Sequence, residues 1–133
     1  RFFVTPSYRL SCIEMAHRYS TPIIPGALTP TEVITAWENG ADMVKVFPAG
    51  NMGGATYIKA LKGPFPQVDM IPTGGVSLET AADFLRAGSS AIAVGGELVS
   101  AALLKKGDYG TIENTPRQFV EIVRNTRAEL AEA

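Results

Sequence analysis

The sequence lacks several features that would assign it to a common class of protein. It has a single cysteine, Cys12, and a single histidine, His17, so it can form neither an intrachain disulfide nor a histidine-rich metal site. It also has no CxxC or HExxH motif. We therefore expect no metal site built by the protein, and the sparse cysteine fits a reducing compartment such as the cytoplasm.

Long apolar runs and excess charge are missing as well. No stretch of about 18 apolar residues could span a bilayer, and no basic segment precedes an apolar one as in a signal peptide. The formal net charge is -1 over 133 residues, of which 46% are hydrophobic. This balance offers no attraction to nucleic acid or to an acidic membrane, and it favours a single soluble domain, residues 1–133, with a small-molecule partner.

Strand-like and helix-like segments alternate along the chain. Predicted strands begin near Phe2, Pro22, Asp42, Asp69 and Ser90, and a helical pattern follows each of them. This α/β order requires parallel pairing with right-handed crossovers, and the average spacing of about 22 residues is that of one unit in a (β/α)₈ barrel of the TIM type. Five units do not close such a barrel. We therefore expect the chain to cover about five of eight units, with the N-terminal units outside it.

Capping signals predict where the helices begin and end. The segment Thr29-Pro30-Thr31-Glu32 reads as a capping box with proline at the first helical position, and Gly40 is expected to end that helix. Capping residues are also predicted for helices over residues 8–19, 77–86 and from 116 onward. These caps are Ser7, Ser77 and Thr115, and the predicted buried face of the last helix carries Phe119, Ile122, Val123 and Leu130.

One lysine lies in an otherwise apolar predicted strand. Residues 43–47 are rich in β-formers and are followed by Pro48, which is typical of a buried parallel strand that ends in a loop. On a period of two, Lys45 shares a face with Met43 and Phe47. An ammonium group in such a place loses hydration, and a partly neutral lysine amine can attack a carbonyl carbon. Lys45 is therefore the candidate nucleophile, and a structural lysine paired with a carboxylate is the alternative.

Three turns follow predicted strand ends, at residues 48–50, 73–75 and 95–97. In a barrel these turns would meet on the face where active sites are built. The pairs Gly74-Gly75 and Gly95-Gly96 would let backbone N–H groups approach a ligand, and a helix beginning near Ser77 would add its positive end. A plain tight turn explains one such pair, but two pairs beside Lys45 favour a site for a phosphate or a carboxylate.

Three motifs around these turns resemble those of one enzyme family. The segments VKVFPA from Val44, GPFPQV from Gly63 and IPTGGV from Ile71 are similar to the lysine, GPF and PTGG motifs of 2-keto-3-deoxy-6-phosphogluconate aldolase. This class I family includes 4-hydroxy-2-oxoglutarate aldolase. The segments FFVTP from Phe2 and IPG from Ile24 match the family's fourth and fifth strands. The resemblance implies that the chain corresponds to the C-terminal five βα units of the barrel.

The resemblance also implies a role for each matching residue. Lys45 matches the lysine that forms a Schiff base with the keto carbon, so that the C3–C4 bond can break to give pyruvate and an aldehyde. Thr73 matches the threonine that helps to hold the carboxylate of the keto acid, and Pro6 matches a proline that lines the site. The turns that would hold a distal phosphate match Gly74, Gly75, Gly95 and Gly96.

The same resemblance implies the partners of the protein. No metal and no organic cofactor are expected, and the ligands would be pyruvate and a phosphorylated sugar acid or 4-hydroxy-2-oxoglutarate. Neither nucleic acid nor a membrane is implied, and the family's usual assembly is a homotrimer.

Two departures from the family pattern affect what the resemblance implies. The family usually has a serine after the glycine at the end of strand eight, and this chain has Gly96 at that position. Phosphate binding would then be weaker, or the preferred substrate would carry no phosphate. The family's general base, a glutamate on strand two, and an arginine that binds the carboxylate would both lie upstream of Arg1.

Other interpretations of these residues stay open. A phosphate-binding barrel of the isomerase or decarboxylase kind would use Lys45 to neutralise an anion, and a non-catalytic half-barrel would expose two sheet edges and tend to associate. Glu97 could act as an acid or base, but an exposed turn glutamate is the simpler interpretation. The remaining candidates are given structural roles: a helix surface for His17, packing for Cys12, Met15, Trp37 and Met43, and solvent exposure for Lys59, Lys62, Lys105 and Lys106.

Overall fold

A computed structural model describes residues 1–132 of the chain. Its strands are short and pair in parallel as two sheets, with the order β1-β2 in one and β3-β4-β5 in the other. The strands are β1 (Phe3–Val4), β2 (Ile23–Ile24), β3 (Gly26–Ala27), β4 (Val44–Val46) and β5 (Met70–Pro72). The α/β class and the parallel pairing agree with the alternation seen in the sequence.

Helices separate most of these strands along the chain. They are α1 (Leu10–Arg18), α2 (Pro30–Glu38), α3 (Ala55–Lys62), α4 (Ala81–Arg86), α5 (Ala101–Lys106) and α6 (Tyr109–Glu132), and a 3₁₀ turn covers Gly50–Met52. Within residues 1–132 the structure has no helix with both the length and the apolar character needed to cross a bilayer. The helix α5 was not predicted from the sequence.

Pro25 divides the second predicted strand into β2 and β3. Proline has no N–H group, so it cannot donate to a neighbouring strand. Its carbonyl oxygen still accepts a hydrogen bond from the N–H of Lys45 at 2.9 Å. The chain thus pairs with β1 before Pro25 and with β4 after it.

The fifth predicted strand, near Ser90, is reduced to a single parallel bridge between Thr73 and Ala93. Hydrogen bonds from the N–H of Ser90 to Met70 O and from the N–H of Ala93 to Pro72 O, both 3.0 Å, still hold this segment beside β5. The segment therefore takes the expected place in the strand order without forming a regular strand.

The main core lies between β3–β5 and the helices. Val44 and Val46 are fully buried, whereas Lys45 between them is only partly buried, as the predicted period of two requires. Large buried side chains that the helices α2, α3, α4 and α6 contribute to this cluster are Val33, Ile58, Leu61, Phe84 and Phe119. A smaller cluster of Ile13, Ala16 and Ile23 packs α1 onto β2.

The capping box at Thr29 is confirmed. Its hydroxyl accepts a hydrogen bond from the N–H of Glu32 at 3.3 Å, and the Glu32 carboxylate accepts from the N–H groups of Thr29 and Leu28, both at 2.8 Å. At the other end of α2, Gly40 has φ +89° and follows the last helical turn, as predicted. The helix is therefore held at both ends by local sequence signals.

None of the other three predicted caps is the N-cap observed. Ser77 is followed by a turn, and α4 begins only at Ala81, with Thr80 as its N-cap. The helix α1 begins at Leu10 with Arg9 as its N-cap, and no side chain caps it. Thr115 lies inside α6, which begins at Tyr109 because Asp108 offers an earlier cap: its carboxylate accepts a hydrogen bond from the N–H of Thr111 at 3.1 Å. Pro116 also lies inside α6, where it has no N–H group to donate to the helix.

Some predicted buried side chains are exposed. On α6, Phe119 is 5% exposed, but Leu130 is 48% exposed, so the predicted apolar face is confirmed for the first half of the helix and wrong near its end. Trp37 and Met15 are also exposed, at 41% and 49%, rather than packed in the core.

Candidate active site

Lys45 lies at the centre of β4, the middle strand of the three-stranded sheet. Its register partners are Gly26 on β3 and Ile71 on β5. The ammonium nitrogen Nζ lies 4.9 Å from the centroid of the Phe47 ring, on the face that these two residues share. A cation at this distance interacts with the ring face, so Phe47 orients the lysine side chain.

Gly26 brings Pro6 close to this strand. A Cβ atom on Gly26 would lie 2.3 Å from the carbonyl carbon and oxygen of Pro6, so only glycine fits there. Pro6 therefore packs against the residue that pairs with Lys45. Pro6 itself is exposed, and its expected role in lining the site stays a prediction.

The turn after β4 is held against the turn after β5 by backbone hydrogen bonds. The N–H of Ala49 donates to Thr73 O at 2.9 Å, and the N–H of Gly50 donates to Gly74 O at 2.8 Å. Gly50 and Gly75 approach so closely that a Cβ on either would lie 2.7 Å from the Cα of the other. The loop that follows the lysine and the Thr-Gly-Gly turn are thus positioned together.

A cavity of about 380 Å³ opens at these strand ends. Five of the predicted site residues line it, which confirms that their two turns meet. Lys45 and Pro6 are not among the lining residues, but Lys45 contacts Phe47, which is. The lining residues are Phe47, Thr73, Gly74, Gly75, Val76, Ala93, Gly95, Gly96 and Glu97.

Thr73 lines this cavity and has an unsatisfied hydroxyl group. Its Oγ1 is buried and has no hydrogen-bond partner among residues 1–132, while its backbone N–H donates to Val46 O at 2.9 Å. A buried polar atom without a partner carries a desolvation cost. A ligand carboxylate or carbonyl oxygen in the cavity could accept a hydrogen bond from this hydroxyl.

The structural need for glycine differs between Gly74-Gly75 and Gly95-Gly96. Gly74 and Gly75 have φ values of +83° and +75°, a conformation that other residues rarely adopt. At Gly95 and Gly96 a Cβ atom would meet no other atom within 4 Å. Packing within the described residues therefore does not require glycine at the second pair, and that side of the cavity is open.

The predicted helix start near Ser77 is a hydrogen-bonded turn in the structure. The N–H of Ser77 donates to the hydroxyl of Thr80 at 2.9 Å, and the N–H of Thr80 donates to the Ser77 hydroxyl at 3.3 Å. These residues form a turn, and α4 starts only at Ala81. The N–H groups of Ser77 and Thr80 are therefore used within this turn, and a contribution of this helix end to anion binding stays a prediction.

Four residues of the cavity wall were not predicted as site residues: Phe47, Val76, Ala93 and Glu97. Phe47 lines the cavity and contacts Lys45, which the strand face that they share could have indicated. Glu97 is exposed, as predicted, but it also lines the cavity beside Gly95 and Gly96. No local pattern in the sequence indicates that Glu97 belongs to the cavity wall, because this depends on where the turn at 95–97 lies relative to the turn at 73–75.

A tyrosine and the capping box support the loop after β3. Tyr57 on α3 donates its hydroxyl hydrogen to the carbonyl oxygen of Leu28, whose N–H donates to Glu32. Burial, followed by the nearby Glu32 carboxylate, raises the pKa of Tyr57. Among residues 1–132, no group of three or more His, Cys, Asp or Glu side chains is placed to hold a metal ion.

Comparison with known proteins gives consistent results. Residues 1–115 match the family model described as KDPG and KHG aldolase. The 2-dehydro-3-deoxy-phosphogluconate aldolase of Pseudomonas aeruginosa is 36% identical over 121 residues, which are 90% of this chain and 54% of that protein. The chain thus spans little more than half the length of this relative.

Solved structures show the same similarity in three dimensions. A structure described as native KDPGal superposes with a TM-score of 0.84 at 31% identity, covering 94% of this chain and 59% of that one. A KDPG aldolase from Legionella pneumophila, with pyruvate captured as a covalent carbinolamine intermediate, gives a TM-score of 0.76 at 26% identity, covering 85% and 55%. These neighbours are aldolases of the TIM-barrel type. The chain belongs to the KDPG and KHG aldolase family.

Proposed function

We propose that the intact protein is a class I aldolase, a carbon–carbon lyase that cleaves 2-dehydro-3-deoxy-6-phosphogluconate, 4-hydroxy-2-oxoglutarate or both to pyruvate and an aldehyde. The observation that carries the proposal is the position of Lys45, in the middle of a parallel sheet and with its Nζ 4.9 Å from the ring of Phe47, which lines the same cavity as Thr73 and the two glycine pairs. The Legionella relative, which holds pyruvate as a covalent carbinolamine, supports it.

The proposed reaction begins at the Lys45 amine. Nζ attacks the keto carbon of the substrate to form a carbinolamine, which loses water and leaves a protonated imine. The imine accepts the electron pair of the C3–C4 bond as that bond breaks, the C4 hydroxyl loses its proton to a base, and the aldehyde departs. The remaining enamine is protonated at C3, and water then releases pyruvate and the free lysine.

The surrounding residues would hold the substrate for this sequence. The unpartnered hydroxyl of Thr73 would donate a hydrogen bond to the carboxylate of the keto acid. Phe47 would hold the lysine side chain, and the turns at Gly74-Gly75 and Gly95-Gly96 would bind the end of the substrate far from the keto acid. Pro6 would close the neighbouring edge of the site through its contact with Gly26.

We extend the proposal to the architecture and the assembly. The strand order β1 to β5, followed by the segment at Ala93, would supply about five of eight units of a TIM-type barrel, and the general base would come from one of the other units. The similarity in fold and the share of each relative that the chain covers support this interpretation. A homotrimer is proposed from the family resemblance, and sedimentation of the intact protein would test it.

Borohydride trapping tests the function directly. Reduction of the intact protein in the presence of pyruvate should add the mass of one reduced pyruvate, and peptide mapping should locate it on Lys45. Lys45→Ala should remain unlabelled, whereas Lys59→Ala, which changes an exposed helix lysine, should label like the wild type. An unlabelled wild type, or a labelled Lys45→Ala variant, would contradict the Schiff-base mechanism and favour a barrel that binds phosphate without trapping pyruvate.

A further inference from the structure

The ring of Phe47 contacts both the Lys45 amine and the turn after β5. The lysine Nζ lies over the ring, 4.9 Å from its centroid. A Cβ atom built on Gly74 would lie 3.5 Å from the ring carbons Cδ2 and Cε2, so the ring also lies next to this turn. The N–H of Phe47 donates to Ala27 O at 3.0 Å, which ties its backbone to β3. The ring is therefore held beside the amine by β3 and by the turn after β5.

The elements around Lys45 place no charged partner on its amine. The neighbouring strands, Gly26–Ala27 and Met70–Pro72, carry no titratable side chain. Helices α2 and α3 pack on the opposite face of β4, where Val44 and Val46 are buried in the main core. The titratable side chains of these two helices are Glu32, Glu38, Tyr57, Lys59 and Lys62. They belong to the side of the sheet away from the lysine.

Three carboxylates lie on segments next to these strands. Asp42 accepts a hydrogen bond from the N–H of Ile23 at 2.8 Å, and Asp69 accepts one from the hydroxyl of Ser90. Glu97 is exposed on the turn at 95–97, which shares the cavity with Phe47. None of the ion pairs within residues 1–132 involves Lys45. The face of the Phe47 ring is therefore the cation-stabilising group that this part of the chain places on Nζ.

The proposed reaction needs a positive charge on this nitrogen. After condensation Nζ is the imine nitrogen, and the protonated imine accepts an electron pair from the substrate far better than the neutral imine does. An imine nitrogen is less basic than the amine from which it forms, so it loses its proton more readily. The negative face of an aromatic ring attracts a cation and has no such attraction for a neutral nitrogen. A ring in this position favours the protonated imine.

We propose that Phe47 keeps the Lys45 imine protonated and thereby maintains it as the electron acceptor of the reaction. The inference rests on the proposed aldolase function and deepens it, because it assigns the ring an electrostatic role in addition to its packing. The ring forms no bond and transfers no proton. It changes only the fraction of the bound imine that carries the positive charge.

The exchange of the C3 hydrogens of pyruvate for deuterium, followed by NMR in deuterium oxide, tests this role in the intact protein. In this partial reaction a base removes a C3 proton and the electron pair moves to the imine nitrogen. A deuteron then adds to C3 of the enamine, and water releases the labelled pyruvate and the free lysine. At saturating pyruvate, the pH dependence of kcat reports the groups of the enzyme-bound state, so the alkaline limb is expected to mark the loss of the imine proton.

Fluorinated phenylalanines at position 47 change the charge of the ring face with little change in its shape. Each fluorine withdraws electron density from the face, so the ring holds a cation less well. Because Phe47 is 40% exposed, the strength typical of exposed sites applies. With three fluorines, the alkaline limb should move to lower pH by about half a unit, while the plateau below it stays within about twofold. The same residue at Phe119, in the main core and outside the cavity lining, should leave the profile unchanged.

Two outcomes would overturn the role of Phe47: an alkaline limb that fluorination at position 47 leaves in place, or an equal shift from fluorination at Phe119. A wild type that neither traps nor exchanges pyruvate would count against the aldolase function instead. Acylation of Lys45 by acetic anhydride, located by peptide mapping, then judges the ring separately. The trifluorinated ring should speed this acylation about threefold at neutral pH, since it stabilises the ammonium form less, and an equal rate would overturn the proposal.

Discussion

Gly50 and Gly75 touch backbone to backbone, since a Cβ built on Gly50 would lie 2.7 Å from the Cα of Gly75. The contact joins the turn that follows Lys45 to the turn that follows Thr73. Because backbone atoms on both sides cannot move apart without breaking the hydrogen bond from Gly50 N–H to Gly74 O, the two turns behave as one support for the candidate site.

Substitution of Gly50 tests this contact. Gly50→Ala should destabilise the protein by about 1–3 kcal/mol, because the added methyl group meets backbone rather than a flexible side chain. Gly63→Ala is the matched control, as the nearest atom to its Cβ, Ala60 O, lies at an ordinary 3.5 Å. Urea unfolding of both variants measures the difference. Equal midpoints for the two variants would show that the turns can separate at little cost.

The free hydroxyl of Thr73 predicts an unusual combination of effects. Thr73→Val should raise KM for the keto acid about tenfold, because it removes a hydrogen bond to a charged carboxylate. Stability should stay the same or increase, since the buried Oγ1 has no partner among residues 1–132 in the free protein. Steady-state kinetics measures the change in KM, and urea unfolding measures the change in stability. A less stable variant with an unchanged KM would assign Thr73 a purely structural role.

Glu32 predicts a pH dependence of stability. Hydrogen bonds from the backbone N–H of Thr29, and then of Leu28, lower the pKa of the Glu32 carboxyl in the folded state. A lowered folded pKa stabilises the protein above the unfolded pKa of about 4.3, and this stabilisation is lost as the pH falls through the folded value. Glu32→Gln should therefore be less stable than the wild type at pH 7, and the gap should narrow below about pH 4.

Denaturant unfolding at several pH values checks this expectation. Glu79→Gln, at an exposed position without a comparable capping role, serves as the control and should show no such narrowing. The free energy of unfolding of Glu32→Gln could instead differ from that of the wild type by a constant amount from pH 7 to the acid limit. The capping box would then contribute through its geometry rather than its charge.

The packing of α6 predicts a contrast between its two halves. Phe119→Ala should cost about 3–5 kcal/mol, because the ring is buried in the main core. Leu130→Ala should change stability by less than about 0.5 kcal/mol, since Leu130 is 48% exposed. Thermal or urea unfolding measures both. A large loss at Leu130 would indicate that the end of the helix is covered in the assembled protein.

Much of the fold could be predicted from the sequence, because the signals involved are local. The alternation of strands and helices, the capping box at Thr29 and the placement of Lys45 opposite the buried valines follow from period and capping chemistry within a few residues. The prediction that the glycine turns meet was also correct, since parallel strands bring their C-terminal ends to one edge.

The start of α6 and the hydrogen bonds of Ser77 could not be predicted, because nearby residues offer competing partners. Thr115-Pro116 is a plausible helix start, yet Asp108 caps α6 earlier, and one missing proline donor is a smaller loss than an interrupted helix. Ser77 bonds within its own turn rather than leaving its N–H free for a ligand. The sequence contains both possibilities in each case, and the packing of the neighbouring segments selects one.

The sequence by itself determined the α/β class, the parallel order of the strands and the candidate nucleophile, since each follows from residues that are close along the chain. Only the tertiary structure decided that Gly50 lies against Gly75, that the Thr73 hydroxyl is without a partner and that Glu97 lines the cavity. These relationships join residues about 20 or more positions apart, and their distances depend on how whole strands and turns pack together.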